Sequence, residues 1–200
     1  MVFRAFGMAA AAALVLGAPA AAQQFSDSYE FLEAVRDADG NKVNKYLQDK
    51  SLRIVNSKDR NTGEGALHIV ARRSDALYLR ALLQADDCNP NLQDRRGNTA
   101  LIIAVEQNWT EGVIILLRYK ANVNLANAGG ETPLIRAVQM HNEEIVRRLL
   151  DAGANPDKAD YGSGKSARDY AREATRWPGI AKLIEDAGKD KAQGASGPKL

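Results

Sequence analysis

The residues that could do chemistry are few, and the run Gly162-Ser163-Gly164-Lys165-Ser166 is the first to test. A glycine-rich turn ending in Lys-Ser is one half of a phosphate cradle, in which backbone N–H groups and the lysine hold a nucleotide. The other half is a glycine five residues before the Gly-Lys pair and a strand leading in. Ala159 occupies that position, and a loop leads in, so the run reads as a turn. The two histidines, His68 and His141, have no second ligand at helical spacing, and a metal site needs converging ligands. Cys88 is the single cysteine, which excludes an internal disulfide. It reads as a small buried filler, because a reactive thiol needs both exposure and a depressed pKa. No serine or cysteine carries a nucleophile motif. The pairs Glu143-Glu144 and Glu185-Asp186 fall on polar helix faces and read as solvated surface. Asn108-Trp109-Thr110 is a glycosylation sequon, relevant only in a eukaryotic secretory host, and Trp109 reads as local packing. No catalytic, cofactor-binding or metal-binding residue is expected, and the chain is not expected to be an enzyme.

The elements that would carry any site repeat. Residues 94–126 can be laid on 127–159 without a gap. Gly97 then falls on Gly130, Thr99 on Thr132, Leu101 on Leu134, Ala104 on Ala137 and Leu116 on Leu149. Self-similarity at a fixed spacing of this order signals stacked units that cannot bury their apolar faces alone. A unit at 59–93 matches with one residue inserted near Ala85-Asp86-Asp87, and Leu79, Leu82 and Leu83 stripe its second helix. Units at 25–58 and 160–187 match less well and read as caps. In the first, helices are expected over 29–38 and 41–48, with Asp27 and Glu30 as a capping box. In the last, Arg168 stands where inner units have Leu67, Leu101 and Leu134, a charge that is acceptable only where no further unit follows. The polar residues 189–200 are expected to form a disordered tail.

Within a unit the helix-start grammar is explicit. Thr132 can cap with its hydroxyl, and Pro133 at the first helical position gives up a donor that has no partner anyway. Gly97 and Gly130 precede the helices where a left-handed backbone is needed. Asn108 and His141 stand at the turn between helices and are expected to take positive φ. Because contacts are local in sequence, no deep single core is expected.

These features resemble the ankyrin repeat. The resemblance rests on Gly-x-Thr-Pro-Leu at Gly130 to Leu134, Ala-Leu-His at Ala66 to His68, and Gly-Ala-Asn at Gly153 to Asn155. It covers about 25–188 and implies an all-α solenoid of about five helix-turn-helix units with short β-hairpin-like turns. It also implies that His68 hydrogen-bonds between turns.

The chain has 200 residues, 45% hydrophobic and 26% charged, with a formal charge of +2. That balance gives no global field for nucleic acid or an anionic membrane. Residues 1–22 read as a cleaved secretory signal. Arg4 supplies the positive end, Met8 to Leu16 a short apolar core, and Ala20 to Ala22 a small-residue site before Gln23. Nothing after it is long and apolar enough to span a bilayer. A periplasmic or secreted product is expected, with a repeat domain over 23–188.

What remains for function is the surface that the resemblance implies, hairpin tips and first helices lining a concave face. The candidate partner-binding residues are Glu64, Arg72, Arg73, Arg95, Arg96, Asn98, Glu106, Gln107, Glu131, Gln139, Met140, Tyr161 and Lys165, with Asn61 and Thr62 beside them. Arginine's planar fork suits carboxylates, so an acidic segment of a partner protein is expected. The function expected is a non-catalytic, exported protein–protein interaction module. The alternative is an accessory or stress-protection factor for a periplasmic enzyme.

Overall fold

The computed structural model describes residues 20–194, with side chains described from 26 to 187. Ten α-helices are arranged in five antiparallel pairs among the described residues. They are α1 (Ala20–Arg36) with α2 (Gly40–Gln48), α3 (Ala66–Arg73) with α4 (Ala76–Leu83), and α5 (Ala100–Glu106) with α6 (Thr110–Arg118). The last two pairs are α7 (Pro133–Gln139) with α8 (Glu143–Asp151), and α9 (Ala167–Glu173) with α10 (Pro178–Gly194). First helices pack in one row, α1 on α3 and so on to α9, and second helices from α4 to α10 pack in another. A 3-10 turn, Ile54–Asn56, ties α1 to α2. The all-α repeat solenoid expected from the repeats is the fold.

Side-chain caps start most helices. The hydroxyls of Thr99 and Thr132 accept from Ile102 N and Ile135 N, each at 3.2 Å, and Asp75 and Asn142 accept from Tyr78 N and Ile145 N. Each satisfies an N–H that the helix leaves without a partner. Antiparallel bridges Lys58–Gly65, Gln93–Thr99 and Ala159–Ser166 close the hairpin turns ahead of α3, α5 and α9. Asn108 and His141 take positive φ, 54° and 55°, and Ala38 and Ser74 do the same at the equivalent turns.

Three expectations are corrected. The buried residues form one continuous cluster from Phe31 to Ile184, because each leucine stripe touches the next unit's. Asp27 is no cap: α1 is already helical from Ala20, since the alanine-rich lead-in favours helix. At the other end, α10 passes the helix end expected near Gly188 and reaches Gly194, Lys189, Lys191, Ala192 and Gln193 favouring helix against the two glycines. The expected leader lies outside the described residues except for 20–22, which form the first turn of α1, and 195–200 lie outside as well. Arg168 is largely covered, pairs with Asp157 at 2.6 Å and reaches Ile184 O at 3.4 Å.

Candidate functional site

The hairpin tips are built alike. An Asp or Asn opens each one and turns its side-chain oxygen inward onto backbone N–H groups. Asp59 Oδ1 accepts from Asn61 N and Thr62 N at 2.8 and 2.9 Å, and Asp94 Oδ1 from Arg96 N and Asn98 N, both at 2.8 Å. Asn127 Oδ1 accepts from Gly129 N and Glu131 N, and Asp160 Oδ1 from Ser163 N and Gly164 N. The N–H groups of Thr62 and Asn61 hold the Asp59 carboxyl down at about 2. At Gly162 to Ser166 the same arrangement occupies the turn. The N–H groups that would cradle an anion already hold Asp160, and Lys165 Nζ donates to Glu173 at 2.8 Å.

Adjacent tips join in a ladder. Arg95 N donates to Thr62 O at 3.0 Å, Ala128 N to Arg96 O at 2.9 Å and Tyr161 N to Gly129 O at 2.8 Å. The close approach is possible because Gly63, Gly97 and Gly130, all at positive φ, carry no side chain. An added Cβ on Gly97 would stand 2.5 Å from Ala128 N. Beneath the ladder lies His68, wholly buried. Its Nδ1 accepts from Gly65 N, and its Nε2 bonds Asn98 O of the next unit, each at 3.0 Å. That is the role the resemblance implied. Burial pushes the His68 pKa below the usual histidine value.

Most of the candidate partner-binding residues are engaged within the chain. At α3 and α9 a residue just before the helix pairs with one near its end: Glu64 with Arg72, and Lys165 with Glu173 at 2.7 Å. Arg136 gathers three more candidates, bonding Glu106 at 2.8 Å, Gln139 at 3.0 Å and Glu131 at 3.3 Å. Arg73 clamps the first unit to the second. Its guanidinium donates to Val35 O at 2.7 Å and to Arg36 O at 3.2 Å, pairs with Asp75, and lies 5.0 Å from the Tyr78 ring centre. It therefore closes the carbonyl end of α1. Asn98 is buried and its Oδ1 accepts from Asn127 Nδ2.

Five candidates stay outward. Arg95, Arg96, Gln107, Met140 and Tyr161 are exposed. Arg95 donates to Arg60 O on the neighbouring tip, and neither Arg95 nor Arg96 forms an ion pair among the described residues. Tyr161, 75% exposed, lies over Gly130. Arg136 and Trp177 were missed by sequence reasoning. Arg136 occupies the column of Ile69 and Ile103, so a charge in an apolar column was the signal available.

No group of three or more metal-binding side chains converges among the described residues. Burial drives the Cys88 thiol up to about 12, which opposes thiolate chemistry there. Trp109 packs edge-on against Gly112, whose added Cβ would fall 2.1 Å from the ring.

Comparison with known proteins agrees with this architecture. Residues 67–160 match the family model described as ankyrin repeats (3 copies). Over 54 residues the chain is 43% identical to the Nuclear factor NF-kappa-B p110 subunit of Drosophila melanogaster. That match covers 27% of this chain and 6% of the fly protein.

Proposed function

We infer that this chain is an ankyrin-repeat protein and a non-catalytic interaction module that is exported and binds an acidic segment of a partner protein along its hairpin tips. One observation carries the reading: at the tips the carboxylates are turned inward and the guanidiniums outward. Asp59 and Asp94 each turn one carboxylate oxygen onto two backbone N–H groups, and Asp59 also pairs with Arg36, while Arg95 and Arg96 face solvent. A partner carboxylate meeting this row finds the acids of the same tips already engaged within the chain, Asp59 and Asp94 by backbone N–H groups, Glu64 by Arg72 and Glu131 by Arg136. The first-helix candidates are reassigned. Glu64, Arg72, Glu106, Glu131, Gln139 and Lys165 neutralise one another, and a partner would have to break those pairs to use them. The contact surface is therefore Arg95 and Arg96, flanked by Tyr161; Gln107 and Met140 cap the far ends of α5 and α7 and lie away from the tips. Export rests on residues 1–22, and cleavage after Ala22 would leave Gln23 in the first turn of α1.

The test is fluorescence anisotropy with a labelled acidic peptide such as Glu-Asp-Glu-Asp-Glu, for the wild type and the Arg95→Glu, Arg96→Glu double variant. Saturable binding that weakens with salt and is lost on reversal supports the reading. Equal binding by the reversed variant refutes it.

A further inference from the structure

The opposite edge of the solenoid, where the two helices of each unit are joined, carries a second feature that the tip ladder does not use. A shallow groove of about 310 Å³ is lined by Asn108, Met140, His141, Asn142, Glu143 and Trp177. These residues come from three successive units. Met140 and Trp177 are 44% and 42% exposed, uncommon for such large apolar side chains. The His141 and Trp177 rings stack with centroids 5.0 Å apart and planes 25° apart. The stack depends on the turn geometry: His141 sits at φ 55°, which throws its ring toward the next unit.

Glu143 supplies the charge. Its carboxylate lies over Gly179 in the first turn of α10, where an added Cβ would stand 2.3 Å from Oε1. The partial positive charge of that helix start holds the carboxylate in place without neutralising it. Glu143 forms no ion pair among the described residues; Glu144 beside it pairs with Arg148 at 2.8 Å. Arg147, one turn along α8, and Arg176, beside Trp177 in the chain, form no ion pair with it. Asn142 donates to Asn108 across the groove, so these two amides fix the floor between units.

We propose that this groove receives an arginine side chain of a partner protein, with the guanidinium over Trp177 and its N–H groups on Glu143. His141 stacks on one face of the indole, and the exposed remainder of the ring is what attracts a cation; a planar guanidinium packs there while keeping its fork free for a carboxylate. The charge preference is the reverse of that at the tips. The two edges therefore suit different segments, and this site stands whether or not the tips bind an acidic one.

The experiment uses the chain's two tryptophans as reporters. The protein is labelled with 15N-tryptophan, its two indole N–H signals are assigned with Trp177→Phe, and the peptides acetyl-Gly-Arg-Gly-Arg-Gly-amide and acetyl-Gly-Glu-Gly-Glu-Gly-amide are titrated in turn. The arginine peptide is expected to shift the Trp177 signal saturably and leave Trp109 in place. The glutamate peptide is expected to move neither. Glu143→Gln should weaken the arginine peptide about fivefold, with an unchanged circular dichroism spectrum showing that α10 is intact. Arg95→Glu with Arg96→Glu should leave this titration unchanged. No saturable shift of Trp177, or equal affinity in Glu143→Gln, overturns the proposal.

Discussion

Replacing Gly97 by alanine isolates what holds the tips together. Gly97 sits at φ +75° in the hairpin before α5. A left-handed backbone costs an L-residue about 1–2 kcal/mol, offset by about 0.5–1 kcal/mol because alanine loses less freedom on folding. The net backbone cost is therefore about 1 kcal/mol. The second contribution is local. The new Cβ would stand 2.5 Å from Ala128 N, 3.0 Å from Asn127 C and 3.2 Å from Asn127 Cα. All three are backbone atoms, so no side chain can rotate away. The tip of the next unit must move, and the Ala128 N to Arg96 O bond at 2.9 Å is the contact that it gives up. A lost hydrogen bond adds about 1 kcal/mol, for a total of about 2 kcal/mol. Gly153 is the control. Its φ is +88°, but an added Cβ would meet nothing within 4 Å, so Gly153→Ala should carry the backbone cost alone, about 1 kcal/mol. Urea unfolding followed by circular dichroism reads the difference as a larger fall in midpoint for Gly97→Ala, at an unchanged slope. Amide exchange at Ala128 should also quicken in that variant alone. If the two alanine variants unfold at the same urea concentration, the tips are not in close contact and the ladder argument fails.

Further outcomes follow from other contacts. Ala38→Gly should raise stability by about 0.5–1 kcal/mol, because Ala38 is exposed at φ 56° and its side chain is not part of the core; thermal unfolding checks this. Arg73→Ala should lower it by about 1–3 kcal/mol, since the carbonyls of Val35 and Arg36 lose their shared donor; Arg96→Ala should leave the melting temperature unchanged. His68 titrates lower in the folded chain than in the unfolded one. Its contribution to stability is therefore complete above about pH 6.5 and falls as acid protonates the unfolded state first, and His68→Gln should flatten that part of the urea-midpoint profile. Deleting 160–200 should expose Leu134 and Leu149, both fully buried, and lead to aggregation visible by light scattering.

The fold was legible because its causes are local and repeated. Thr99 and Thr132 cap, Gly97 and Gly130 turn, and the leucine stripes face along the stack; each acts within its own unit and is written twice or more. Asn108 and His141 were identifiable as left-handed positions because such residues tolerate positive φ. Ala38 and Ser74 were not, because nothing in an alanine or a serine announces that conformation. The site was less legible for a different reason. Glu64 lies before α3 and eight residues from Arg72, and Arg136 meets Glu106 from the neighbouring unit, so neither pair falls at the three- or four-residue spacing of side chains that touch on one helix. Residue type and a place on a first helix put Arg73 among the binding candidates. Its position at the carbonyl end of α1 depends on how two units dock, and no single unit's sequence contains that. The inward turn of Asp94 was also hidden, and it is what separates Arg95 and Arg96 from the arginines that are already paired.

The most direct test of the tip-binding account is hydrogen exchange mapped by mass spectrometry on the chain in complex with a partner captured from the exported fraction. The account predicts slowed exchange in peptides spanning 94–98 and 128–131, absent when Arg95→Glu and Arg96→Glu are introduced. Protection confined to the second helices α4, α6 and α8, with the tips unchanged, would contradict it.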